Sequence, residues 1–126
     1  MAKILIVDDE PRIRELIREH LQYAGYVCEE AGDGSAALSL LSGGGFDLVI
    51  LDVMMPFMDG MEATQKIRAL EREDAGTVPI IAMTANAFVE DKKQAMAAGM
   101  TDYITKPLQM ELLLHLLAKY AKKRKH

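Results

Sequence analysis

The stretch ILIVDDE, residues 4–10, places four apolar residues directly before three acidic ones. An unbroken apolar run rich in β-branched side chains is typical of a strand that is covered on both faces of a sheet. The carboxylates that follow then stand at the carboxyl end of a buried strand. Charged groups at the end of a buried strand are costly unless a partner or ligand offsets their charge.

The alternation of strand-like and helical segments continues to the end of the chain. Further strand-like runs lie at 26–30, 46–51, 78–83 and 102–105, and helical periodicity marks 11–24, 34–42, 60–73, 87–97 and 109–121. Glycine-containing turns separate these segments. Five strand-then-helix units in one small domain predict an α/β fold, in which helices cover both faces of a five-stranded parallel sheet.

Length and composition limit the function. A chain of 126 residues, half of them apolar, forms one domain, which we place at residues 1–121 with a basic tail at 122–126. The formal net charge of −4 argues against a nucleic-acid partner. The lone Cys28 fits a reducing compartment, and neither a signal peptide nor a membrane-spanning run is recognisable, so we expect a cytoplasmic protein without a membrane partner.

Polar residues follow four of the predicted strands. They are Asp8 and Asp9 after the first strand, Asp52 after the third, Thr84 after the fourth and Lys106 after the fifth. In an open parallel sheet, ligands bind outside the carboxyl ends of the strands, near the point where the strand order reverses. The sequence therefore predicts a site at this edge that contains three carboxylates, a hydroxyl and an ammonium group.

The chemistry of these groups favours phosphoryl binding. Three neighbouring carboxylates repel one another unless a cation joins them, and a hard divalent ion such as Mg²⁺ accepts carboxylate oxygens and often bridges to phosphate. A metal, a lysine and a threonine hydroxyl suit the negative oxygens of a phosphoryl group. Asp52 is then a candidate nucleophile, because carboxylates can carry phosphoryl groups covalently.

Four motifs, ILIVDDE, LDVMMPFMDG, IIAMTANA and DYITKPL, resemble those of the receiver domains of two-component response regulators in order and in spacing. The resemblance covers residues 3–121. It implies a flavodoxin-like (βα)5 fold, a doubly wound sheet with strand order 2-1-3-4-5. The opening resembles receivers that precede DNA-binding domains, whereas residues 80–108 resemble the receivers of hybrid histidine kinases. The resemblance thus implies a single-domain regulator or the receiver of a hybrid histidine kinase.

The resemblance also implies roles for the residues at the strand ends. Asp52 would be the phospho-acceptor, served by a histidine kinase or a histidine phosphotransfer protein. Asp8 and Asp9 would form the acidic pair. The Mg²⁺ ion would be held by Asp9 and Asp52 together with the backbone carbonyl of Met54.

Thr84 and Lys106 would bind phosphoryl oxygens, and the rotamer of Tyr103 would follow Thr84. A tight bend that turns Lys106 toward the acceptor predicts a cis Lys106–Pro107 peptide bond. Phosphorylation would change the affinity for a downstream protein or a second copy, through the fourth predicted helix, the fifth strand and the fifth helix. Such a domain is not an enzyme in the usual sense, although it assists its own phosphorylation and dephosphorylation.

An alternative is a phosphatase of the haloacid dehalogenase type, which also forms an aspartyl-phosphate. That enzyme needs a second aspartate two places after the nucleophile, where this chain has Met54. A thioether cannot transfer a proton, so the alternative is disfavoured.

The last predicted helix has an apolar stripe formed by Leu112, Leu113, Leu116, Leu117 and Tyr120. Met110 and Leu114 lie on its flank. They either widen the core stripe or form part of an exposed contact surface, and the sequence leaves both interpretations open.

Overall fold

The computed structural model describes residues 2–52, 60–69, 78–84, 97, 99–105 and 109–121, which contain five strands and four helices. They are β1 (Lys3–Val7), α1 (Pro11–Tyr23), β2 (Val27–Ala31), α2 (Gly34–Ser42), β3 (Leu48–Asp52), α3 (Gly60–Arg68), β4 (Ile80–Thr84), β5 (Asp102–Thr105) and α4 (Met110–Ala121). The predicted helix at 87–97 lies outside the described residues apart from residue 97, so α4 corresponds to the fifth predicted helix. No described helix combines the length and the apolar content needed to cross a membrane.

The strands form one parallel sheet in the order β2-β1-β3-β4-β5, which confirms the predicted fold class and strand order. The central strands have the unbroken apolar runs that a sheet covered on both faces requires. All four apolar residues of the opening run, 4–7, have an exposed fraction of 0%. Burial of side chains of this size contributes about 1.5–3 kcal/mol each to stability, and the opening run thus anchors the centre of the sheet.

Alternate residues of each strand enter two different cores. Leu5 and Val7 face the first core cluster, which α2 and α3 cover with Ala37, Leu41 and Ile67. Ile4 and Ile6 face the second core cluster, which α1 and α4 cover. The residues that these two helices contribute are Ile17, Leu21, Leu113, Leu116 and Leu117. The sheet is therefore doubly wound, with two described helices on each face.

The apolar stripe of α4 differs in part from its prediction. Leu113 and Leu117 are fully buried, whereas Leu112 is 44% exposed, so its assignment to the core was wrong. Adjacent helical positions lie about 100° apart, and a stripe centred on Leu113 and Leu117 leaves Leu112 beyond its margin. Met110 and Leu114 are half-buried and pack against the second core cluster, which favours the interpretation that they widen the core stripe.

Cys28 is a half-buried thiol in β2, the edge strand of the sheet. Burial raises its pKa from 9.0 to about 11, because the thiolate would lose hydration. The side chain consequently remains a neutral thiol at neutral pH.

Arg68, the last residue of α3, joins the segments that lead into β4 and β5. Its Nη1 donates to the carbonyl oxygen of Val78 at 2.7 Å, and its Nε and Nη2 donate to the carbonyl oxygen of Gly99 at 3.0 and 2.7 Å. Gly99 has a φ of +107°, and a Cβ there would lie 3.2 Å from Cγ of Arg68. Both the backbone angle and the close approach of the arginine therefore favour glycine at this position.

We expect Arg68→Ala to lower the free energy of unfolding by about 2 kcal/mol or more, because it removes charged donors from two partly buried carbonyl oxygens. Urea unfolding measures the change. Arg12→Ala, at an exposed position of α1, is the matched control and should change stability by less than about 0.5 kcal/mol. Equal losses in the two variants would contradict the role assigned to Arg68.

Candidate functional site

The register of the sheet brings three carboxylates together. Val7 is paired with Leu51, so Asp8 and Asp52, the next residues, stand at the same level of adjacent strands. One oxygen from each of Asp8, Asp9 and Asp52 lies within 4.8 Å of the others. We call these three residues the carboxylate cluster.

The members of the carboxylate cluster differ in exposure. Asp8 and Asp52 are 0% and 3% exposed, whereas Asp9 is exposed. Asp8 is also held by hydrogen bonds, since its Oδ1 accepts from the backbone N–H of Glu10 at 2.9 Å and its own N–H donates to the carbonyl oxygen of Ala31 at 3.2 Å. The cluster therefore consists of two buried carboxylates, on Asp8 and Asp52, and one carboxylate, on Asp9, that is open to solvent.

Thr84 lies at the carboxyl edge of the sheet, and Tyr103 lies on the adjacent strand, β5. Asp52 is paired with Met83, so the half-buried Thr84 stands one residue beyond it on β4. Tyr103 of β5 is paired with Ala82 of β4 and packs against the first core cluster. The other predicted site residues, Met54, Lys106 and Pro107, lie outside the described residues.

Asp102 connects Tyr103 to α4. Its Oδ1 accepts from the backbone N–H of Tyr103, and its Oδ2 accepts from the hydroxyl of Tyr120, both at 2.8 Å. The hydrogen bond to Asp102 raises the pKa of Tyr120, because it favours the protonated phenol. One carboxylate thus bonds both to the backbone of the predicted switch residue and to the last helix.

Sequence reasoning missed a second group of charged residues beside the carboxylate cluster. Nη1 of Arg14 donates to the backbone oxygen of Asp8 at 2.6 Å, and its Nε donates to Oε1 of Glu30 at 3.1 Å. Arg18 binds the other carboxylate oxygen of Glu30. Arg14 and Glu30 are 16 positions apart, so no local periodicity links them. Only the helix-to-strand packing of the first βα unit could have indicated the pair.

The carboxylate cluster has the donor set of a site for a hard divalent cation. Carboxylate oxygens are the ligands that Mg²⁺ prefers, and Mg²⁺ commonly uses one or two of them together with waters and phosphate oxygens. Without a cation, three such groups within 4.8 Å of one another raise the energy of the folded state by mutual repulsion. The residues present therefore fit the predicted ion.

We expect Asp9→Asn to raise the free energy of unfolding in metal-free buffer by about 1 kcal/mol, because it removes one charge from the carboxylate cluster. Mg²⁺ should stabilise the unmodified protein and should stabilise the variant much less. Thermal unfolding with and without Mg²⁺ measures both effects.

Glu10→Gln is the control, since Glu10 is exposed, lies next to Asp9 and is not a member of the carboxylate cluster. It should respond to Mg²⁺ as the unmodified protein does. An equal response to Mg²⁺ in Asp9→Asn would show that Asp9 is not a ligand.

Comparison with known proteins identifies relatives of the chain. The family model described as the response regulator receiver domain matches residues 4–118. The sensor histidine kinase RcsC of Salmonella typhimurium is 42% identical over 120 residues, which cover 95% of this chain and 12% of that protein. The chain thus spans about an eighth of the length of that relative.

Solved structures of receiver proteins have the same fold. The chemotaxis protein CheY4 of Vibrio cholerae superposes with a TM-score of 0.89 at 38% identity, over 95% of this chain and 98% of that chain. The receiver domain of the sensor histidine kinase PA1611 of Pseudomonas aeruginosa, solved with a magnesium ion coordinated in its active-site cleft, superposes with a TM-score of 0.87 at 35% identity, over 96% and 98%.

Sensor histidine kinases and response regulators both occur among the relatives, in line with the mixed resemblance of the sequence. The family match and these relatives give no support to the phosphatase alternative.

Proposed function

Because the chain belongs to the response regulator receiver domain family, we propose that it acts in two-component phosphorelay signalling and that Asp52 is the residue that accepts the phosphoryl group. The observation that carries the proposal is the position of Asp52, 3% exposed at the end of β3 with carboxylate oxygens of Asp8 and Asp9 within 4.8 Å. A carboxylate placed there can attack a phosphoryl group only when the surrounding negative charge is neutralised.

We assign Mg²⁺ to the carboxylate cluster. Asp8, Asp9 and Asp52 would hold it, with the backbone carbonyl of Met54 as a further ligand that lies outside the described residues. When bound, the ion neutralises the carboxylates and the negative oxygens of the incoming phosphoryl group. The magnesium ion in the cleft of the PA1611 receiver supports this assignment.

The transfer uses one carboxylate oxygen of Asp52 as the nucleophile. That oxygen forms a bond to phosphorus while the bond from phosphorus to the donor imidazole nitrogen breaks, and the histidine leaves on its own protein. The hydroxyl of Thr84 would hold the equatorial oxygens together with the ammonium of Lys106, a residue that lies outside the described ones. The domain accelerates only its own phosphorylation and the later attack of water, so we do not classify it as an enzyme.

The phosphorylated state acts on partners through β5 and α4. Movement of Thr84 toward the phosphoryl group lets Tyr103 follow, and the hydrogen bonds of Asp102 pass that change to Tyr120. The partners in this proposal are a phospho-histidine kinase or phosphotransfer protein as donor, and a downstream protein or a second copy as receiver of the signal. In this proposal the contact surface includes β5 and α4 together with the fourth predicted helix, which lies outside the described residues apart from residue 97.

The functional domain in this proposal comprises residues 1–121, and the basic segment 122–126 lies outside the described residues. A cytoplasmic location belongs to the same proposal. It rests on Cys28, a free thiol and the single cysteine of the sequence, which fits a reducing compartment.

We expect phosphoramidate or acetyl phosphate to add one phosphoryl group to the protein in the presence of Mg²⁺ and none after chelation of the metal. Intact mass spectrometry measures the addition. Asp52→Asn should abolish it, because an amide is a poor nucleophile.

Two further variants separate the metal ligand from its neighbour. Asp9→Ala should reduce the labelling rate at least tenfold, whereas Glu10→Ala, which keeps the backbone N–H bonded to Asp8, should leave it nearly unchanged. Undiminished labelling of Asp52→Asn would rule out Asp52 as the acceptor.

We expect Tyr120→Phe to weaken the response of α4 to phosphorylation, because the variant lacks the hydroxyl that bonds to Asp102. The measurement is the change in backbone amide shifts of α4 on addition of Mg²⁺ and fluoroberyllate, a phosphoryl analogue. Tyr23→Phe, at a side chain that is 96% exposed, is the control and should respond like the unmodified protein. If the amide shifts of α4 change equally in the two variants, the hydrogen bond between Tyr120 and Asp102 does not carry the response to α4.

A further inference from the structure

The guanidinium of Arg14 lies between the carboxylate cluster and the edge strand of the sheet. It donates to the backbone oxygen of Asp8 at 2.6 Å and to the carboxylate of Glu30, the penultimate residue of β2, at 3.1 Å. Among the described residues, Arg14 forms its ion pair with Glu30 and reaches the cluster through the backbone oxygen of Asp8. Its direct contact with the cluster is therefore a backbone contact.

We propose that Arg14 is a positioning residue that fixes the Asp8–Asp9 segment and thereby sets the affinity of the carboxylate cluster for Mg²⁺. This inference rests on the proposed function, since it concerns the same metal site. It adds a residue that binds neither the metal nor the phosphoryl group.

The backbone of Asp8 is restrained on both sides. Its N–H donates to the carbonyl oxygen of Ala31, and its carbonyl oxygen accepts from Arg14. The side-chain oxygen Oδ1 accepts from the N–H of Glu10. These three hydrogen bonds fix the orientation of the Asp8 carboxylate. They also fix the backbone from which the neighbouring Asp9 side chain extends.

Arg14 is itself held in place. Its side chain is 18% exposed, and the carboxylate that binds it, on Glu30, also binds Arg18. Gly32 lies close to the guanidinium, since a Cβ added at Gly32 would be only 3.3 Å from Nη1 of Arg14. The guanidinium therefore occupies a fitted position between α1 and the end of β2.

The geometry requires an arginine. Nε and Nη1 point to different partners, so one rigid planar group bonds to the Glu30 carboxylate and to the Asp8 carbonyl at the same time. The ammonium of a lysine is a point donor on a flexible chain and cannot reproduce both bonds in this fixed arrangement. A site for Mg²⁺ tolerates little displacement of its ligands, because the ion demands nearly ideal octahedral geometry.

The test compares two variants with the same net charge, Arg14→Lys and Arg18→Lys. Both change an arginine that binds Glu30, but only Arg14 bonds to Asp8. Isothermal titration calorimetry of the full chain with Mg²⁺ should show affinity reduced at least fivefold in Arg14→Lys and changed by less than twofold in Arg18→Lys. Equal affinities in the two variants would overturn the inference.

Arg14→Gln distinguishes positioning from simple electrostatics. Removal of a positive charge near a cation site should strengthen Mg²⁺ binding if charge dominates, whereas loss of positioning should weaken it. We expect weaker binding, and tighter binding would overturn the inference.

Gly32→Ala provides a variant that leaves every charged group in place. Its Cβ should displace the guanidinium and weaken Mg²⁺ binding about threefold. Unchanged binding in this variant would contradict the fitted position of Arg14.

Failure of this inference is distinguishable from failure of the proposed function. If the unmodified protein does not bind Mg²⁺, the proposed metal site is wrong. If the unmodified protein binds Mg²⁺ and Asp52 is labelled, but the two lysine variants bind equally, only the role of Arg14 is wrong.

Discussion

Repulsion among three carboxylates is the constraint on which the site depends. Asp8 and Asp52 are placed side by side by the register of β1 and β3, two strands that the core of the protein buries on both faces. The carboxylates cannot separate without disturbing the sheet, because their strands are held by the two core clusters. The folded state therefore holds three carboxylates within 4.8 Å of one another, an arrangement that a divalent cation stabilises.

Two arginines bond to backbone carbonyl oxygens at opposite edges of the sheet. Near the start of β4 and β5, Arg68 bonds to the carbonyl oxygens of Val78 and Gly99. On the acidic side, Arg14 bonds to the backbone of Asp8 rather than to its carboxylate. The positive charge thus holds the segment in place while the carboxylate keeps its capacity to bind a metal.

Much of the fold and part of the site could be predicted from the sequence. The unbroken apolar runs indicate buried parallel strands, and the residues that follow those runs include all three members of the carboxylate cluster. The exposure of Leu112 was mispredicted, because the rotation of a helix on a sheet depends on the packing of its neighbours. The Arg14–Glu30 and Asp102–Tyr120 pairs were missed, since their members lie 16 and 18 positions apart and meet only in the folded chain.

The central claim is that the carboxylate cluster holds a divalent cation beside Asp52. A crystal structure grown with Mn²⁺, which has a measurable anomalous signal, tests it most directly. We expect an anomalous peak among the carboxylate oxygens of Asp8, Asp9 and Asp52, with Oδ1 of Asp8 still accepting from the N–H of Glu10. A fully occupied peak elsewhere, or carboxylates that have moved apart with no ion between them, would contradict it.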